Sequence, residues 1–167
     1  DWPPDMYETG RVQVAGSFVN HMWVTGGVLY GYPQGKTHPK ALERTNALLE
    51  HLVDHMVFHA TGPRFLCGDW NFEGHQLPPT DRLSACGWKE VQHLEFLRHG
   101  VKPRMTCKQA TQKDFLWISP ELVACYLGLR IDDETFPDHA CLLASFALDR
   151  GFSRRFLWPL PAAVPWN

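Results

Sequence analysis

Leu42, Thr45, Leu48, Leu49, Leu52, Val53 and Met56 recur at intervals of three and four residues, and no other segment constrains the fold as tightly. That spacing lines one face of an α-helix. β-Branched runs precede it at 11–19 (RVQVAGSFV) and 22–31 (MWVTGGVLYG), and a short apolar run, 64–68 (RFLCG), follows it. The first two runs, joined at Asn20-His21, predict a hairpin. Thr37 predicts a helix cap with Pro39 in the first turn, and Gly62-Pro63 predicts the stop. Two strands, a covering helix and a further strand call for a layered α/β architecture.

The remaining chain adds strands more than helices. Pro78-Pro79 marks a loop, Thr80 a cap for a short helix, and Gly87 its end. Residues 88–113 show no clear period. Runs at 114–119 (DFLWIS), 129–132 and 140–148 (ACLLASFAL) predict strands, with one helical turn at 120–124. Three prolines within 158–167 exclude a helix or central strand there, so 149–167 is expected to be an extended Pro/Trp-rich linker after a domain covering 1–148.

Composition narrows the function classes. With 44% apolar and 20% charged residues the chain is of ordinary globular type, neither disordered nor fibrous. Its net charge of −2 gives no general basic field, so any nucleic-acid contact must come from a local patch. No run of about 18 apolar residues predicts a membrane span. The DWPPD start has neither the basic residues nor the apolar run of a signal peptide. Five cysteines spaced singly, with no CxxC pair, predict reduced thiols in an intracellular, cytoplasmic or nuclear setting.

Three polar clusters stand at strand ends: Asp69 with Asn71, Asp114, and Asp138 with His139. Such residues can converge on one cleft. Hydrolysis of a phosphate ester needs that convergence: carboxylates for a divalent cation or for water, and a donor to the phosphate. Each cluster alone is a weak signal, and a turn would explain Asp69. Their order is more specific. Gly68-Asp69-Trp70-Asn71 follows a buried strand, Asp114-Phe115 opens another, and Asp138-His139 precedes the last apolar run.

Read together over about residues 11–148, these motifs resemble the second half of the endonuclease/exonuclease/phosphatase superfamily, the deoxyribonuclease-I-like fold. The resemblance implies a four-layer α/β/β/α sandwich, here without its N-terminal strands. It implies that Asp69 activates or orients water and that Asn71 hydrogen-bonds the scissile phosphate. Asp138 would be a ligand of magnesium, or of manganese in its place, and His139 would donate to a phosphate oxygen. Asp114 would hold His139 cationic, since a neighbouring carboxylate raises a histidine pKa. In Leu29-Tyr30-Gly31-Tyr32-Pro33, Tyr30 or Tyr32 corresponds to the tyrosine that reaches the phosphate, Tyr30 being favoured.

The sequence also departs from the pattern. Pro137 stands where the family has serine, and neither Glu8 nor Asn20 matches the early asparagine and metal-binding glutamate of the family's first half. These 167 residues alone are therefore expected to cleave little. The resemblance is strongest to the nicking endonucleases of non-LTR retroelements, which implies DNA as the partner and a reverse transcriptase domain on the same polypeptide. A phosphatase of lipid or small phosphoesters, and a catalytically dead binding module, are the alternatives.

Two further features have chemical readings. His51, His55 and His59 share a helical spacing that could hold zinc, but a solvated helix face accounts for them, with no fourth ligand at a suitable spacing. Segment 98–113 carries Arg98, Lys102, Arg104, Lys108 and Lys113 without an acidic residue, and is the candidate phosphate-backbone contact. Trp23, Trp70, Trp88 and Trp117 are expected to pack inside.

Overall fold

The computed structural model describes residues 9–34, 40–108, 110–135 and 138–148. Strands β1 (Val12–Val19) and β2 (Met22–Leu29) form the expected hairpin, paired from Val12↔Leu29 to Val19↔Met22. Asn20 and His21 have φ of 46° and 66°, the left-handed pair that a tight two-residue turn requires. The chain then crosses in helix α1 (Ala41–Asp54), which buries Ala41, Thr45, Leu48, Leu49, Leu52 and Val53, and widens into a π-type turn at His55–His59. The helix start read at Thr37 and Pro39 lies outside the described residues.

Strand β3 (Arg64–Asp69) returns parallel to β2, with Thr25↔Arg64 through Val28↔Cys67 in register. Helix α2 (Pro79–Ala85), the two-residue strand β4 (Lys89–Glu90) and helix α3 (Val91–His99) follow. Strand β5 (Asp114–Ile118) pairs antiparallel with β3, and β4 pairs with the other side of β5. The five-stranded sheet therefore runs β1-β2-β3-β5-β4. Helix α4 (Pro120–Cys125) leads into β6 (Tyr126–Asp132), which pairs with β7 (Cys141–Phe146) as a separate two-stranded sheet.

Alternation along β3 and β5 sorts their side chains onto two faces. Leu66 and Phe115 join Leu49, Leu52, Met56, Trp70, Leu83 and Trp88 in the main core beneath α1 and α2. Phe65, Leu116 and Ile118 point the other way, into a second cluster with Val91, Leu94, Leu122, Tyr126, Ala144 and Phe146. A groove of roughly 470 Å³ runs between that second face and β7, with Cys67, Asp69 and Asp114 in its wall.

Several local expectations are corrected. Thr80 does not cap α2 from outside; it lies within the helix, its hydroxyl donating back to Leu77 O at 2.8 Å, and Pro78 holds the cap position. The segment without a clear period contains α3, whose first turn is closed by the Glu90 carboxylate accepting from His93 N at 2.8 Å, and whose end is Gly100 at φ 72°. β6 begins three residues ahead of the expected 129. Trp70 and Trp88 are fully buried and Trp117 packs on the main core, but Trp23 is 49% exposed. It lies over Gly16 and edge-on to Phe18 near the hairpin tip. The tail at 149–167 and Pro137 lie outside the described residues. Among the described residues no helix is long and apolar enough to cross a membrane, and all five cysteines are free.

Candidate active site

Asp69 closes β3 and Asp114 opens β5, and the two face each other as the terminal rung of the β3–β5 ladder. Directly opposed residues of an antiparallel pair project to the same face. Both carboxylates thus reach the groove. Gly68 makes this ending possible. Its φ is 140°, and a Cβ there would lie 1.9 Å from Leu29 O. Glycine lets β3 close against the end of β2, where Gly31 N donates to Asp69 O at 2.8 Å.

Asn71 is held by its own turn. Its backbone N–H donates to Asp69 Oδ1 at 2.9 Å, its φ is 61°, and its carboxamide donates to Gly31 O at 3.0 Å. A carboxamide has two N–H bonds, so one remains for another acceptor. Trp70, between the two polar residues, turns inward and stacks on Phe115 with ring centroids 4.9 Å apart.

His139 enters from the segment just ahead of β7. Its Nδ1 lies 3.0 and 3.2 Å from the Asp114 carboxylate oxygens, and its Nε2 lies 4.0 Å from Asp69 Oδ2. The imidazole is bracketed by two carboxylates that are 45 residues apart in the chain but adjacent in the ladder. The hydrogen bond that the His139 ring donates to Asp114 raises the His139 pKa above its ordinary value, aided by the charges of Asp114, Asp69 and Asp138 and opposed by burial. Burial also raises the Asp69 carboxyl, with Asp114 adding to the effect and the Asn71 N–H, His139 and Lys113 opposing it.

The placement of the other expected residues is mixed. Tyr32 is 5% exposed within the core, whereas Tyr30 is 48% exposed, so Tyr30 is the tyrosine open to a ligand. Asp138 is exposed at the rim, where its carbonyl accepts from Lys108 N at 2.9 Å. Among the described residues, Asp69, Asp114 and His139 bring ligand atoms within 4.8 Å of one another. The histidine trio on α1 and its π turn does not form such a group among the described residues. Within the basic segment, Arg98 is consumed internally, donating to Tyr126 O and Val123 O at 3.0 Å each, and Arg104 is ion-paired with Asp133. Lys102 is exposed. Lys108 and Lys113 border the site, Lys113 through its charge on Asp69 and through its carbonyl, which accepts from Trp70 N.

One residue that builds the site gives no sequence signal. Thr106 is 1% exposed. Its hydroxyl oxygen accepts from Lys113 N at 3.1 Å and Asp114 N at 3.0 Å, and its carbonyl accepts from Ala140 N at 2.7 Å. It therefore ties the start of β5 to the residue after His139. A buried threonine amid polar residues shows no period and matches no motif.

The bracketed histidine has a measurable consequence. With its folded pKa raised, His139 contributes stability that is complete below the unfolded value near 6.5 and disappears as pH rises through the folded value. In metal-free protein, NMR titration of the ring protons is expected to place His139 above 6.5, and Asp114→Asn to lower it. Desolvation alone acts with the opposite sign. A His139 pKa below 6.5, or one indifferent to Asp114→Asn, would break the pairing.

No family model matches the sequence, and no curated protein matches it. Solved structures do match the fold. The 3′ phosphatase NExo from Neisseria, bound to a product DNA hairpin, superposes with a TM-score of 0.60 at 18% identity over 86% of this chain and 68% of that one. An AP endonuclease from Archaeoglobus fulgidus gives 0.60 at 13% identity over 80% and 65%. The endonuclease domain of TRAS1, a telomere-specific non-LTR retrotransposon, gives 0.59 at 12% identity over 84% and 63%. The chain thus spans 63–68% of the length of these structures. Its fold is the α/β fold that these structures share, the deoxyribonuclease-I-like fold.

Proposed function

We propose that the cleft end at Asp69, Asp114 and His139 is the phosphate-handling site of a phosphodiester hydrolase whose substrate is DNA. The observation that carries this reading is the bracketed imidazole: Nδ1 on Asp114 at 3.0 Å, Nε2 toward Asp69 at 4.0 Å. Asp114 fixes the ring and favours its cationic form, so Nε2–H is a donor aimed into the cleft. There it neutralises charge that develops on a phosphate oxygen. The Asp69 carboxylate, made more basic by burial, orients the attacking water and accepts its proton. The uncommitted N–H of Asn71 and the Tyr30 hydroxyl add donors to the non-bridging oxygens.

A divalent cation suits this set through its oxygens. The carboxylates of Asp69 and Asp114 are hard donors at the required convergence, whereas Nδ1 of His139 is already engaged with Asp114. Magnesium held by the two carboxylates would polarise the scissile phosphate. The likeness to TRAS1 in fold, together with the motif order, supports a retroelement-type nicking endonuclease as the particular branch.

The test combines binding with cleavage. A short DNA duplex carrying a single nick should shift the His139 ring and Asn71 side-chain NMR signals. Any magnesium-dependent nicking of supercoiled plasmid should fall to background in His139→Ala, since removing one transition-state donor costs roughly 10²–10³ in rate. Unshifted His139 signals at saturating DNA, or nicking that survives His139→Ala, would overturn the reading.

A further inference from the structure

The positive charge that borders this site is not confined to the segment the sequence brings to attention. Two arginines outside any motif meet at the end of β2. The Arg11 guanidinium lies 4.3 Å from the Tyr32 ring centroid and 5.1 Å from that of Tyr30, and the Arg44 guanidinium lies 4.2 Å from the Tyr32 ring. Arg11 comes from the start of the hairpin and Arg44 from the first turns of α1. Tyr32 is the shared platform, and its backbone N–H is fixed by Thr45 Oγ1 at 2.8 Å.

This pair adjoins the proposed active site through a short run of hydrogen bonds. Arg11 Nη1 donates to Gly31 O at 3.0 Å and Tyr30 O at 3.3 Å. The same Gly31 carbonyl accepts from the Asn71 carboxamide, and Gly31 N donates to Asp69 O. Gly31 itself is pressed between Trp70 and Thr45; a Cβ there would lie 2.2 Å from Trp70 O and 3.1 Å from Thr45 Cγ2. The arginine pair and the catalytic carboxylate therefore share one rigid backbone junction.

Charge balance distinguishes these arginines from those at 98–113. Arg98 and Arg104 spend their donors within the chain, on carbonyls and on Asp133. Among the described residues, neither Arg11 nor Arg44 has a carboxylate within ion-pair distance. Arg44 is exposed, and its guanidinium donors meet no acceptor among those residues. Only one nitrogen of the Arg11 guanidinium is engaged. Two guanidinium groups on one ring, with no carboxylate partner among the described residues, lie closer together than the Debye length of about 10 Å at 0.1 M salt, so they act as a single positive focus. Packing over the Tyr32 ring leaves the Arg44 fork and the Arg11 nitrogens other than Nη1 for an oxyanion.

We propose that Arg11 and Arg44, stacked on Tyr32, form a phosphate-backbone contact for the nucleic-acid strand that enters the site on its β2–α1 side. This rests on the nucleic-acid reading of the site, and it assigns the strand a path that the basic segment does not describe. Tyr30, half exposed beside Arg11, offers the ring surface on which a neighbouring base or sugar packs.

Fluorescence anisotropy with a labelled single-stranded DNA, in chelator and over a salt series, tests the contact without relying on cleavage. Arg44→Gln is expected to weaken binding and to lower the log–log salt slope by about 0.7 for each phosphate of a single strand that the protein no longer neutralises. Arg44→Lys should retain the slope while losing part of the affinity, since charge remains and stacking does not. Arg130→Gln removes the same charge from exposed β6 and should leave the slope unchanged. Circular dichroism confirms that each variant is folded. If the parent binds with an equal slope in Arg44→Gln, the arginine contact is overturned and the hydrolase reading stands. If Arg44→Gln lowers the slope while the His139 signals ignore DNA, the contact stands and the hydrolase reading falls. No binding by the parent at any salt overturns both.

Discussion

Gly68→Ala should come close to unfolding the protein. At φ 140° an L-residue is strained, a cost of order 1–3 kcal/mol. The added methyl would also meet Leu29 O at 1.9 Å and Leu29 C at 2.9 Å. Those are backbone atoms of the neighbouring parallel strand, so no side chain can rotate away. Relief requires β2 and β3 to part at the end that carries Asp69, in a protein whose total stability is on the scale of 5–15 kcal/mol. We expect a loss of at least ~4 kcal/mol in urea unfolding. Gly74→Ala is the matched control, because a Cβ there makes only ordinary contact with the Phe115 ring at 3.7 Å. A Gly68→Ala loss below ~1 kcal/mol would show that the strand spacing is adjustable and that the motif's glycine has another cause.

Glu90→Gln should remove most of the pH dependence of stability between about 4.5 and 7. Glu90 is 9% exposed, one carboxylate oxygen caps α3 through His93 N, and Oε1 is buried without a partner among the described residues. Burial pushes its pKa from the ordinary 4.5 to about 7, against the stabilising hydrogen bonds from His93 and Gln92. Since the folded value is raised, the favourable contribution is complete below 4.5 and is lost as pH rises through about 7. A displacement of that size corresponds to ~3 kcal/mol. Glutamine keeps an acceptor for His93 N and never ionises. Urea midpoints measured from pH 4.5 to 8 should therefore fall steeply in the parent and more shallowly in the variant, whose remaining decline belongs to His139 and Asp69, and the variant becomes the more stable protein above pH 7. Parallel profiles would show that Glu90 ionises freely.

What could be read in advance follows physical range. The hairpin turn at Asn20-His21 and the stripe of α1 are local patterns, set by backbone sterics and a 3.6-residue period, and both emerge as expected. The α/β class follows from their order. α3 escaped notice because Val91 and Leu94 are its only buried apolar residues; its Gln92 and Glu95 are buried as well, so polarity and burial part company there. Trp23 misled in the other direction. Its aromatic bulk suggests core, yet it lies near the hairpin tip, where it covers Gly16. In the site, Asp114 and His139 could be paired only through the order of motifs, because 25 residues separate them and no local rule spans that distance. Thr106 was beyond reach. Its hydroxyl serves two backbone N–H groups, and such a role leaves no pattern in residue type. The basic segment was legible as charge but not as use, since Arg98 reaches carbonyls on α4 and β6 that only the folded chain brings near.

The site straddles a seam between two bodies of unequal strength. Asp69 and Asp114 belong to a five-stranded sheet anchored by the main core, while His139 leads into β7, whose ladder partner is β6 alone. A two-stranded ribbon is marginal by itself, so β6–β7 depends on the second cluster beneath it. Such an element is expected to open as a subglobal unit at a lower free energy than the whole chain. Each opening parts the imidazole from its carboxylates while the sheet stays intact. The amide protons of β7 therefore exchange with solvent at a rate that counts how often the site is disassembled. An anion bridging Asn71 and His139 can bind only the closed form, and it slows that exchange in proportion to its occupancy. Occupancy of the cleft is thus recorded in the backbone of a strand on its far wall, whether or not any bond is cleaved.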